Sequence, residues 1–137
     1  MVQDDDAEVR GVNGRFYRAL TELDMEAMSA IWMHSGDVRC IHPGWELLTG
    51  WRDVRASWQA IFDHTEAHLV EPRLLEVQVS GGLGWVSCIE RITSNGRIAF
   101  TAGTNLYRHT DDGWRMILHH ASGVPFEEGS EPASPIH

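Results

Sequence analysis

The stretch W-R-M-I-L-H-H-A-S-G-V-P, residues 114 to 125, puts two adjacent histidines near the end of an apolar run. Neighbours on a strand point to opposite faces. One of His119 and His120 therefore faces the interior and the other faces out. An imidazole inside a small domain points to a pocket with proton transfer or polar recognition in it. His42 is a second such group, because it follows an apolar run and precedes Pro43-Gly44. Its roles are a general base at the end of a strand or an anchor that bonds the carbonyls of a turn. Other chemistries are poorly served. His64-Thr-Glu-Ala-His68 spaces two imidazoles four apart, but the glutamate does not directly follow the first histidine, as a zinc-helix motif requires. It reads as a solvated helix end, and no metal is expected. The glycines at 81, 82 and 84 sit between strands and open no helix, so they cradle no phosphate. A G-x-S-x-G nucleophile elbow is absent.

These groups need elements to hold them. Val9, Val12, Phe16 and Leu20 recur at helical spacing, which predicts an amphipathic helix over 9–21 after a frayed segment 1–8. Asp24 is a candidate cap for a second helix that buries Met25, Met28, Ile31 and Trp32. Residues 38–41 read as a short strand ended by His42-Pro43-Gly44. A third helix follows, with Val54, Trp58 and Ile61 on one face. From residue 70 the pattern turns to strands: 74–80, 85–93, 97–109 and 114–122, joined by glycine-bearing turns. Helices first and an antiparallel meander after predict an α+β domain. A curved sheet around a helix would enclose a cone-shaped cavity. The tail 126–137 is rich in Glu, Ser and Pro and predicts disorder.

Composition narrows the partners. A chain of 137 residues suits one domain with a real core. A net charge of −9 argues against nucleic acid and against anionic membranes. Cys40 and Cys88 lie in apolar runs and read as reduced core residues. The acidic start M-V-Q-D-D-D carries no signal-peptide pattern, so the expected compartment is the cytoplasm. Six tryptophans suggest an aromatic-lined interior.

The segments F-Y-R-A-L-T-E-L-D-M-E-A-M, C-I-H-P-G-W, W-V-S-C-I-E-R-I-T and W-R-M-I-L-H-H-A-S-G-V-P together resemble the nuclear transport factor 2-like superfamily. Within it they look most like the SnoaL-like branch, related to steroid Δ-isomerases and polyketide cyclases. The last segment is also similar to the closing strand of the calcium/calmodulin-dependent kinase association domain. The resemblance spans about residues 9 to 125 and implies a cystatin-like α+β barrel, a curved antiparallel sheet around the N-terminal helices. Steroid isomerases of this kind use a tyrosine, a base aspartate and a protonated aspartate. Matching puts Phe16 (beside Tyr17), His42 and Asn105 at those three positions, so the standard isomerase constellation is absent. The same matching turns Cys88, Glu90, Asn105, Leu118 and His120 inward, with Val86, Ile92 and Ser122; the opposite parity would turn Arg91 in. Trp32, Trp45 and Trp58 become walls.

The expected catalytic groups are thus His42, Glu90 and His120. The expected ligand contacts are Phe16, Trp32, Trp45, Trp58, Cys88, Asn105 and Leu118. Superfamily resemblance also implies a homodimer through the outer sheet face. The expected function is acid–base chemistry of the isomerase, cyclase or dehydratase kind on a small apolar carbonyl or hydroxyl compound, without a cofactor. A ligand carrier or sensor, or an oligomerisation domain, is the alternative.

Overall fold

The structure is a computed structural model and describes residues 2–125. Its elements run α1 (Val2–Glu22), α2 (Met25–Ile31), β1 (Arg39–Ile41), β2 (Leu48–Thr49), α3 (Trp51–Asp63), β3 (Leu69–Ser80), β4 (Leu83–Ser94), β5 (Arg97–Thr110) and β6 (Gly113–Gly123). Helix α1 begins at Val2, so the segment expected to fray before residue 9 is helical. The tail expected to be disordered lies outside the described residues. No described helix is long and apolar enough to cross a membrane.

The helix starts follow from local chemistry. Asp24 accepts a hydrogen bond from the Ala27 backbone N–H at 3.0 Å, which caps α2. Val9, Val12, Phe16 and Leu20 form the buried stripe of α1, as their spacing predicts. Asn13 and Tyr17 lie on that same stripe, and their polar ends must be satisfied inside.

Six strands form one open sheet in the order β2-β1-β6-β5-β4-β3. It is mixed rather than wholly antiparallel, because β1 pairs parallel to β6. The long strands are joined by tight turns. Gly81-Gly82 and Asn95-Gly96 both take positive φ at two successive residues, the geometry that matches strand twist in a two-residue hairpin. The sheet packs its inner face on α1. The approach is so close at Gly84 that a Cβ there would meet the Val9 side chain at 2.8 Å.

One irregularity decides what faces the core. Leu106 pairs with Leu118, but Tyr107 pairs with Met116, so Ile117 is an extra residue on β6. A one-residue insertion reverses the facing of everything beyond it. Trp114 and Met116 point inward before the bulge; His119 and Ala121 do so after it.

Candidate functional site

The bulge corrects two of the expected site residues. His119, not His120, is buried; His120 is exposed and Leu118 is half-buried on the other sheet face. Strict alternation from Met116 would have brought Leu118, His120 and Ser122 inward, and Ile117 breaks that alternation. On β4 the parity is uninterrupted. Glu90 is buried, while the neighbouring Arg91 is partly exposed and lies 3.6 Å from the Glu71 carboxylate.

The parallel pairing of β1 with β6 then positions the second histidine. Cys40 lies opposite His119 on the inner face, and the chain leaves β1 immediately after, at His42. The two imidazole centroids are 6.3 Å apart. Trp58 of α3 stands against both rings, 4.6 Å from His42 and 5.6 Å from His119. Phe16 of α1 packs on His119 at 4.9 Å and on Trp58 at 5.8 Å. Trp45, 44% exposed, meets His42 edge-on at 4.9 Å.

The protonation of His42 can be read from its partners. Its Nε2 lies 2.8 Å from Ser57 Oγ. Ser57 spends its own proton on the Val54 carbonyl, at 2.6 Å. The hydroxyl can therefore only accept, and His42 must donate from Nε2. Nδ1 is left as the lone pair, with the Cys40 thiol 3.9 Å from it and 3.5 Å from Nε2. Burial, with a smaller contribution from the neighbouring His119, holds the His42 pKa down at about 4. His119 is held at about 3, again chiefly by burial, with His120 adding to it. Both rings are neutral at pH 7.

Behind His119 runs a chain of buried polar side chains. Asn105 Oδ1 is 2.6 Å from His119 Nδ1. Asn105 Nδ2 donates to Asn13 Oδ1 and to Tyr17 Oη, both at 3.0 Å. The Tyr17 hydroxyl donates to Glu90 Oε2 at 2.6 Å, and Thr101 donates to Oε1 at 2.5 Å. Tyr107 donates to Asn13 Oδ1 at 2.7 Å. Cys88 Sγ sits 3.2 Å from the Tyr17 oxygen. Burial raises the Glu90 pKa, opposed by the bonds from Thr101 and Tyr17. Burial, with the nearby Glu90 charge, also raises Tyr17 well above an ordinary phenol. The Cys88 thiol is pushed up to about 12 by burial. Gly103 makes room for this cluster, since a Cβ there would lie 2.9 Å from Glu90 Oε2.

His42, Trp58 and Phe16 thus gather around His119, Trp45 stands against His42, and Asn105, Cys88 and Glu90 line up behind His119. Trp32 does not join them. It is buried between α2 and β6, bridges to Met116 and packs on Trp51 at 6.0 Å. Tyr17, Ser57, Asn13 and Thr101 were not singled out from the sequence. Asn13 and Tyr17 did carry a signal, as polar groups on the apolar stripe of α1. Ser57 and Thr101 carried none. His64 caps the end of α3 by bonding the Ala60 carbonyl at 2.8 Å, and His68 bonds the Leu20 carbonyl at 2.7 Å. No group of His, Cys, Asp and Glu that could hold a metal ion occurs among the described residues.

One further atom bears on chemistry. The Trp58 indole N–H is buried with no hydrogen-bond partner. A buried donor left unsatisfied is costly and calls for an acceptor.

Comparison with known proteins agrees with this architecture. The SnoaL-like domain family matches residues 9–127. The chain belongs to the SnoaL-like family. An NTF2-like protein from Streptomyces avermitilis, described as a candidate dehydratase, is 29% identical. It superposes with a TM-score of 0.84, over 90% of this chain and 99% of that one. A candidate calcium/calmodulin-dependent protein kinase type II association domain from Thiobacillus denitrificans is 28% identical. Its TM-score is 0.79, over 85% of this chain and 94% of that one. The F-box protein SKIP8 of Arabidopsis thaliana is 26% identical over 111 residues, 81% of this chain. The match spans only 47% of that plant protein, about half its length.

Proposed function

We propose that this SnoaL-like domain is a small enzyme that moves a proton with a single base, His42, on a neutral β-hydroxycarbonyl compound. The observation that carries the reading is the state of His42. Its Nε2–H is committed to Ser57 and its Nδ1 lone pair meets only a weak donor, the Cys40 thiol at 3.9 Å, beside a buried indole N–H that lacks an acceptor. In the proposed step, Nδ1 takes the proton from the carbon next to a carbonyl, and the Trp58 N–H supports the enolate oxygen. The imidazolium returns that proton to the departing hydroxyl, so water leaves and the ring is neutral again. His119 accepts a hydrogen bond from the substrate hydroxyl. Glu90 acts at a distance by orienting this machinery. Two neutral rings and a single carboxyl offer an anionic substrate no cation, which favours neutral compounds. The dehydratase description of the Streptomyces relative supports elimination over isomerisation.

The test is incubation with a panel of neutral β-hydroxyketones in D2O, followed by NMR. The expected result is exchange at the α-carbon and loss of water, both abolished in His42→Gln while tryptophan fluorescence still reports binding. Binding without exchange would establish a carrier instead. Full activity in His42→Gln would remove His42 as the base.

The outer sheet face, with half-buried Trp85, Ile89, Leu106 and Leu118, is proposed as the contact of a homodimer. Analytical ultracentrifugation should find a dimer, and a monomer at micromolar concentration would overturn this.

A further inference from the structure

We infer that Asn105 is a positioning residue, which locks His119 with its proton on Nδ1 and its lone pair on Nε2. The inference rests on the reading of His119 as a working imidazole, and it follows from donor and acceptor roles that are forced one after another. The Tyr17 hydroxyl has one proton, and that proton goes to Glu90 Oε2. The Tyr17 oxygen must then accept from its other neighbours, so it takes Nδ2–H from Asn105 and the thiol proton from Cys88. The second Nδ2–H of Asn105 goes to Asn13 Oδ1. The Tyr107 hydroxyl donates to the same oxygen at 2.7 Å, while Asn13 Nδ2 is buried without a partner. Two anchors on α1 therefore hold the nitrogen end of the Asn105 amide toward the helix. Its oxygen end must face β6. An amide oxygen only accepts, so His119 Nδ1, 2.6 Å away, has to be the protonated nitrogen.

The consequence reaches the site. A neutral imidazole has one donor and one acceptor. With the donor spent on Asn105, His119 presents only a lone pair from Nε2. It can receive a substrate hydroxyl and cannot donate to a carbonyl. The carboxyl of Glu90 thereby influences His119 through two intervening side chains and without touching it. Such outer partners commonly set which imidazole nitrogen is available.

The test is two-bond 1H–15N correlation at pH 7 on the whole protein labelled with 15N-histidine. The His119 signals are identified by their absence in His119→Gln. The expected pattern is a protonated Nδ1 and a bare Nε2. Asn105→Leu should release His119 to the opposite tautomer. Tyr17→Phe keeps the ring and removes one anchor, and should lower the preference about tenfold, the worth of one buried hydrogen bond. A protonated Nε2 in the wild-type protein would overturn the inference, and this spectrum needs no variant to fold. A tautomer ratio unchanged in Tyr17→Phe would also overturn it. The tautomer is read without turnover. If the predicted pattern is found and His119→Gln keeps full activity, the positioning stands and the functional reading of His119 fails.

Discussion

Acid should unfold this protein through its two buried histidines. Both have folded pKa values below the ordinary imidazole value of 6.5, at about 4 for His42 and about 3 for His119. The unfolded chain then binds more protons than the folded one as the pH falls below 6.5. Stability is complete above that pH and is lost on the way down toward the folded values. Between pH 7 and pH 5 each histidine should cost about 2 kcal/mol, and the pair about 4 kcal/mol. That is a large share of the roughly 5–15 kcal/mol that holds a domain folded. Glu90 pulls the other way, because a raised carboxyl pKa lets the folded state take up its proton first. A comparison of two proteins that both keep Glu90 largely removes this contribution. The assay is urea unfolding followed by tryptophan fluorescence at pH 7, 6 and 5 and constant ionic strength. His119→Gln starts from a lower stability, but its decline from pH 7 to 5 should be about half that of wild type. Parallel declines would refute the reasoning, for they would mean that His119 titrates alike in both states.

Three further outcomes follow from the packing. Gly103→Ala should lower stability by about 1–3 kcal/mol in thermal melts, because the new methyl displaces the Glu90 carboxyl from its donors. Asp24→Ala should cost about 1 kcal/mol in the same assay, through loss of the α2 cap. Cys88, buried and with its thiol at about 12, should resist a disulfide-exchange reagent at pH 8 until denaturant is added; rapid labelling of the native protein would contradict its burial.

The fold was legible because its signals are local and repeated. The apolar stripe of α1, the Asp24 cap and the glycine-bearing turns each act within a few residues. Matching to the family put Glu90 on the inner face, where it lies buried, and that parity holds along β4 because the strand alternates without interruption. The exchange of His119 for His120 was not legible. Nothing in M-I-L-H-H marks Ile117 as a bulge, since the extra residue is imposed by how β5 and β6 register over their whole length. The Tyr17–Glu90 and His42–Ser57 bonds join positions 73 and 15 residues apart, and no periodicity connects them. Asn105 was visible as a polar residue at a family position. Its partners appear only when α1 lies across the sheet.

The bulge at Ile117 has a meaning for how this site could change over generations. Strand parity makes β6 a two-position selector, and the inserted residue sets it. Were Ile117 kept but the bulge smoothed into simple alternation, the rest of the strand would rotate by half a turn. Leu118, His120 and Ser122 would enter the interior together while His119 and Ala121 left it. The double histidine keeps an imidazole on either face, one residue out of phase. A lineage could therefore lose or gain the bulge and still carry an imidazole into the domain, at a new depth and away from Asn105.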